Sequence, residues 1–370
     1  MTTASEERAI ERVVSGEAWR DYCRMLEMAG MVILREGSPS DPLDRAEGFR
    51  YLSRLVRAGI EAFVEHADPG APELRRMVHE TVKMGSDNPD NLYFNAPISG
   101  RHRYRLVGRR GSVAYLGFGT QQGGLGEGAG LPPTGFLEAA DLTLGPDGRF
   151  EIIVSCEKAE GNWLPMTPDS GMLIVRQTFM DREREEPAEV RIERLDGADP
   201  PSPLSPVAFE AGLAQAGRLV GGVAAMFANW AEGFQQHVNR LPRFDQALSN
   251  ASGGDPQIAY YHSYWSLAPD EALVILAKPP PCRHWNFQLN NHWMESLDYR
   301  HHRISLNKAT AHYAADGSVR VVVAHEDPGV PNWLTTAGHR RGTMCWRWIA
   351  ADEHPEPQTE VVPLSSLRGA

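Results

Sequence analysis

Hydrophobic spacing divides the chain into a helical opening and two β-rich stretches. Trp19, Tyr22, Cys23 and Leu26 recur at three- and four-residue intervals, and Gly30 reads as the stop of that helix. After Asp41-Pro42, the run Phe49, Leu52, Leu55, Val56, Ile60, Phe63 and Val64 predicts a second helix. A third is predicted from Pro72, a favourable first helical residue, to Gly85. From Asp87 the period shortens to that of strands, with Tyr104 to Val107 and Ser112 to Phe118 between Gly/Pro-rich connections. A charged and then Pro-rich connector covers 181–206. Phe209, Leu213, Leu219, Val220, Val223, Met226, Phe227, Trp230 and Phe234 then predict a helix against the sheets, with Gly217, Gly221 and Gly222 allowing close approach. Beyond Asp255 the strands return at Leu273 to Lys278 and Cys282 to Asn290. In the latter, Trp285, Phe287 and Leu289 alternate with His284, Asn286, Gln288 and Asn290. One apolar and one polar-amide face mark a half-buried sheet.

Much of this text occurs twice. Asn162-Trp163-Leu164 returns as Asn332-Trp333-Leu334, 170 positions later. Each copy follows an Asp-Gly turn (Asp147-Gly148, Asp316-Gly317) and a β-branched strand, and each precedes an apolar strand holding one arginine, Arg176 or Arg347. The opening Asp255-Pro256 to Ser266 echoes Asn88-Pro89 to Ser99, and alignment by the Asp-Gly turns sets Tyr115 beside His284 and Phe118 beside Phe287. A strand-loop-strand unit repeated at this distance predicts two related halves. The expected fold is α+β: a duplicated antiparallel β-sandwich with jelly-roll-like halves, an N-terminal helical region and a mid-chain helix. Its expected parts are helices over 1–86, a first half over 87–180, a connector with helix over 181–254, a second half over 255–352 and a tail over 353–370.

Four features resemble a known family. They are the strand Trp285 to Leu289, Arg303-Ile304-Ser305 before a strand, Asp316-Gly317-Ser318 leading through Val321 to His325 with Asp327-Pro328-Gly329, and Asn332-Trp333-Leu334 leading to Arg347. Together they resemble domain-of-unknown-function family 1214, a bacterial β-sandwich domain often found behind a partner domain numbered 1254. The resemblance covers roughly 255–350, with a degenerate echo over 90–180. It departs at Thr335-Thr336, where the family carries proline and a small residue, and at Ile349, where it carries an aromatic. It implies a sandwich fold and no particular activity.

Composition narrows the partners. A net charge of -11 argues against a nucleic-acid backbone or an anionic membrane as partner. The polar start Met1 to Glu7 predicts no signal peptide, and the apolar stretch Leu219 to Ala231 reads as too short to span a bilayer. Four cysteines without Cys-x-x-Cys spacing fit reduced thiols, hence an expected cytoplasmic location. A homo-oligomer is compatible with all of this.

The candidate chemistry concentrates in the second half. Eight histidines fall there: His262, His284, His292, His301, His302, His312, His325 and His339. No spacing among them matches a metal motif, and adjacent His301 and His302 would face opposite sides of a strand. A mononuclear metal, a haem with one axial histidine and plain polar-face histidines all remain open, so the cofactor is left unknown and no metal ligand is assigned. The run Gly117 to Gly130 invites a phosphate cradle, but Leu131-Pro132-Pro133 follows where a helix would have to open. A loop over a cavity mouth is the better reading.

The ladder His284, Asn286, Gln288 and Asn290 carries the functional expectation. Facing a pocket, it would orient a small molecule. His284 and His325 are then candidate acid/base residues and Arg303 a partner for an oxyanion. Asn286, Gln288, His292, Trp293, Tyr299 and Trp333 would form the binding surface. For Arg347, Arg176 and the two Asn-Trp-Leu loops the expected role is structural, because they recur in the half with few histidines. The expected function is an enzyme of catabolic or secondary metabolism, oxygenase or lyase/isomerase, acting on a small, largely apolar substrate, aromatic ones included. The alternative is a non-catalytic sandwich that binds glycan or lipid.

Overall fold

The computed structural model describes residues 3–123, 132–197 and 203–368. Most of the glycine run lies outside the described residues; Gly117 and Gly119 lie within a strand.

The opening is helical: α1 (Ala4–Val14), α2 (Glu17–Leu34) and α3 (Pro42–Ile60), the last continued by a π-helical turn, Glu61–Glu65. Asp41 caps α3 by accepting from the Asp44 amide, and Pro42 fixes its first turn. Gly30 does not end α2. Ala29 and Ile33 carry its buried stripe across the glycine, and that packing outweighs a helix-interior cost of about 1 kcal/mol. The predicted helix from Pro72 to Gly85 is absent. That segment instead runs beside the first strand, where Arg75 and Asn95 exchange backbone hydrogen bonds of 2.9 and 2.8 Å. An edge strand's unpaired backbone groups compete with the intrahelical ladder, and here they prevail.

The first half holds β1 (Asn91–Pro97), β2 (Tyr104–Arg109), β3 (Tyr115–Gln122), β4 (Pro133–Glu138), β5 (Arg149–Ser155), β6 (Trp163–Pro165), β7 (Ser170–Thr178) and β8 (Glu189–Arg194). They form two four-stranded sheets, β1-β7-β3-β4 and β6-β5-β2-β8. After α4 (Pro206–Phe234) and α5 (Gln246–Ala251) comes the second half: β9 (Ile258–Ser266), β10 (Glu271–Ala277), β11 (Cys282–Leu289), β12 (Ser305–Asn307), β13 (Val319–Ala324), β14 (Trp333–Thr335), β15 (Arg341–Ala351) and β16 (Gln358–Pro363). Its sheets run β9-β15-β11-β12 and β14-β13-β10-β16, the same order strand for strand. Even the one parallel contact repeats, β5 with β6 and β13 with β14. The duplication is therefore complete. It also moves two expected boundaries: β8 lies in the supposed connector and pairs with β2, and β16 lies in the supposed tail and pairs with β10. Charge and proline in those stretches obscured short, half-exposed outer strands.

The Asn-Trp-Leu loops make the same bonds in each half. The Asn162 amide accepts from the Thr143 nitrogen and donates to the Thr143 and Glu151 carbonyls. Asn332 does the same with His312 and Arg320. Trp163 and Trp333 each donate an indole N–H to the last carbonyl of the preceding strand, Ser155 and Ala324. Asn332 is buried and left-handed, with φ of 58°, a conformation asparagine tolerates better than alanine. Asn332→Ala should therefore cost about 2–4 kcal/mol in urea unfolding, from orphaned buried groups plus strain, and more than Asn162→Ala at its wetter site. Equal losses would count against the buried cap.

α4 is capped by Ser205 and lies against α2, α3 and the second half. By length and composition it passes as a membrane span, unlike the shorter stretch read from sequence, yet more than half of that stretch is buried inside the protein. Leu219, Val220, Val223, Ala224, Phe227 and Ala228 join residues of α2, α3 and β9 in one core. Separate cores fill each sandwich.

Candidate functional site

Sheets β1-β7-β3-β4 and β9-β15-β11-β12 face each other across a seam, and each half reaches for the loop that leads into the other. Arg176 donates to the Gly253 carbonyl at 2.8 Å, and Arg347 donates to the Ser86 carbonyl at 2.5 Å. Tyr115 donates to Asp255 at 3.0 Å, while His284, its counterpart, meets Asp90 at 3.1 Å. This is approximate two-fold symmetry built from one chain.

The polar ladder of β11 points into this seam, fully buried. Asn286 donates to Asn88 and Asp90, Gln288 to the Asp87 carbonyl and Asn290, and Asn290 to Ser86. The oxygens of Asn286 and Gln288 accept from Arg347 at 3.3 and 2.6 Å. The first half's leader loop thus occupies the surface that sequence assigned to a substrate. The ladder still matters, because it aims Arg347.

The other expected residues are dispersed. His325 follows β13 of an outer sheet, against the Thr336 hydroxyl and the Leu267 carbonyl. Arg303 is exposed. His292 is buried against Tyr264 and Trp293, and burial, with the charges of Arg35, Arg341 and Arg45, lowers its pKa to about 3. Trp293 donates to the Asp44 carbonyl and packs on Gly48, where a Cβ would stand 2.8 Å from the indole. Tyr299 lies under the Lys83 ammonium, and Trp333 is held in its loop. These residues hold helices, loops and sheets together and do not converge on one pocket. Their residue types suited binding, but type alone carries no information about convergence.

A cavity of about 200 Å³ does open in the seam. Its floor comes from Tyr93 and Asn91 of the first half and Tyr260 and His262 of the second, its ends from Arg176 and Arg347, and its roof from Val223, Met226, Phe227 and Trp230 of α4. Engineered apolar cavities of about 150 Å³ hold benzene, so the space suits one small molecule. Tyr93 and Tyr260 are counterparts. Each hydroxyl accepts a 3.3 Å bond from a leader-loop amide, of Asn88 or Asp255. Neither has an acceptor for its own proton among the described residues. Burial raises both phenol pKa values, so both remain neutral donors. His262 stacks on Tyr260 and Phe234 at 5.4 and 5.5 Å. Burial, then the charge of Arg347, lowers its pKa to about 3, so the ring is neutral. Its Nδ1, with Asn88 Nδ2 and Asn91 Oδ1, has no partner among the described residues. Groups so buried are normally satisfied, and all three belong to residues that line the one cavity, which makes it the candidate site.

Sequence reasoning counted His262 and missed the site. The usable signal was the echo of Asn88–Ser99 in Asp255–Ser266, which sets Tyr93 against Tyr260 and Asn95 against His262.

Comparison with known proteins agrees with the architecture. The model of the family described as "Protein of unknown function (DUF1214)" matches residues 270–353. A crystal structure of an uncharacterized protein from Burkholderia cenocepacia is 52% identical, covering 96% of this chain and 99% of that one, with a TM-score of 0.95. This chain belongs to the DUF1214 family. The DUF1214 match falls within the second sandwich, and the first sandwich is its duplicate by topology. A protein from Vibrio parahaemolyticus shares the fold at 13% identity and a TM-score of 0.51, over 85% of this chain and 98% of that one. No curated protein matches the chain.

Proposed function

We propose that this DUF1214 protein takes a small, largely apolar molecule into the seam cavity and acts on it as an enzyme of cytoplasmic small-molecule metabolism. One observation carries the reading: an aromatic and aliphatic enclosure lined by His262, Asn88 and Asn91, whose buried His262 Nδ1, Asn88 Nδ2 and Asn91 Oδ1 have no hydrogen-bond partner among the described residues. The groups present favour orienting and polarising a bound molecule by hydrogen bonds, which a lyase or isomerase uses to stabilise developing negative charge. Tyr93 and Tyr260 are neutral hydrogen-bond donors, and a histidine as depressed as His262 is a hydrogen-bond partner and not a base near neutral pH. The enclosure under α4 fits one small molecule better than a glycan or lipid chain.

The test is Val223→Trp, which fills the cavity from its roof at an overpacking cost of about 1–3 kcal/mol. A panel of small aromatic and aliphatic compounds should contain members that stabilise the wild type, by about 2.7 kcal/mol at a hundredfold excess over Kd. Val223→Trp, checked for folding by circular dichroism, should lose that response. A variant that keeps the wild-type response puts the site elsewhere.

A further inference from the structure

We propose that the ligand of the seam cavity is a carboxylate, anchored by Arg347. The inference rests on the cavity's being the binding site and adds the chemical class of its occupant. Arg347 is 3% exposed, and all its hydrogen bonds go to neutral oxygens: Ser86 and Gln288 at 2.5 and 2.6 Å, Asn286 at 3.3 Å. Among the described residues no carboxylate pairs with it directly. A guanidinium taken out of water ordinarily has an ionic partner, because neutral acceptors only partly replace lost hydration.

The acids nearby are already engaged. Asp255 accepts from Tyr115 and stands 3.8 Å from Arg176, so it offsets that other arginine. Asp87, which also lines the cavity, accepts from the Ser296 amide and hydroxyl; the ammonium of Lys83 is the leading charge that stabilises it, and Arg347 acts on it only as a lesser charge without a hydrogen bond. Asp90 is held by His284, Asn286 and Asn307. It reaches Arg347 only through the Asn286 amide and does not line the cavity. The cavity therefore sees a guanidinium with no carboxylate in direct contact among the described residues: Asp90 lies behind an amide, and Asp87 is bound to Ser296 and offset first by Lys83.

The surroundings select for an anion of one charge. The guanidinium lies 5.7 Å from the centre of the Tyr260 ring, and both cavity phenols have protons to donate. Guanidinium and phenol donors match the planar oxygens of a carboxylate. With Arg176 offset by Asp255, one positive charge remains, which suits a monoanion better than a phosphate dianion. The Phe227 and Trp230 side would take the apolar remainder.

The experiment compares matched acids and amides by calorimetry on the wild type and on Arg347→Gln: benzoate with benzamide, and pentanoate with pentanamide. Each acid should bind the wild type at least about tenfold more tightly than its amide, since a charge-assisted hydrogen bond contributes about 1.5–3 kcal/mol. Arg347→Gln should remove that preference while leaving amide binding within a few fold. If that variant does not fold, the wild-type comparison stands alone as the test. Equal binding of acid and amide by the wild type overturns the carboxylate proposal and leaves the cavity as a binding site. Binding of neither pair, with no occupant in crystals soaked with benzoate, overturns both.

Discussion

Trp346→Ala is expected to lower the unfolding free energy by about 3–5 kcal/mol, the range for deleting a large aromatic from a packed core. Trp346 is fully buried in β15. It stacks on Trp285 of β11 at 4.9 Å and 6°, meets Trp348 edge-on at 5.2 Å and touches Phe287 at 5.7 Å. These rings are the centre of the second sandwich, so truncation leaves a void among rigid aromatic neighbours. Trp346→Phe supplies the contrast. The Trp346 indole nitrogen has no hydrogen-bond partner among the described residues, so phenylalanine removes an unsatisfied donor while losing part of the volume. Its cost should be about 1–2 kcal/mol. Urea unfolding measures both, and equal losses would contradict the packing account. Trp346 does not line the seam cavity, so ligand binding by folded Trp346→Phe should match the wild type.

The second large effect concerns pH. Asp44 of α3 is buried, and burial, then the hydrogen bond and charge of Asp41, raises its pKa to about 7. A raised acid binds its proton more tightly when folded. Its contribution is present below about pH 4 and is lost as pH rises towards 7. At about 1.4 kcal/mol per unit, the loss reaches at most about 4 kcal/mol. His339 acts in the same direction: burial lowers its pKa, but the hydrogen bond and charge of Glu47, at 2.8 Å, outweigh burial and raise it. That stability is present below about pH 6.5 and lost above. Glu47 opposes on the acid side. Burial would raise its pKa, but His339 and Arg50 lower it, so its stability is lost as pH falls below about 4. Stability should therefore peak in mildly acidic solution. Asp44→Asn should flatten the decline between about pH 4 and 7 while leaving the acid limb in place. A variant whose profile parallels the wild type would show that Asp44 titrates normally.

The pair of sandwiches was readable because duplication writes the same constraints twice. Asn162 and Asn332 cap the same turn, and Trp163 and Trp333 close the same strand, so identical loops had to carry identical residues. The period-two alternation of β11 likewise declared one apolar face and one polar face. What covered the polar face was not readable. Ser86, Asp87, Asn88 and Asp90 lie some two hundred positions away from it in the sequence. Hydrogen-bonding side chains look alike whether they wait for a ligand or hold a loop. The expected helix from Pro72 to Gly85 failed for a related reason: local propensity cannot register an edge strand that still needs partners.

By itself, then, the sequence determined the repeat, the strand alternation, the helices after Asp41 and in the mid-chain connector, and the family, all properties of local spacing and of text copied within one chain. Only the tertiary structure decided where the two halves leave a space. The seam brings Tyr93, Tyr260, His262 and Arg347 together under α4, each half contributing what the other lacks. Convergence of that kind depends on how two folded surfaces meet, and no window along the chain contains both.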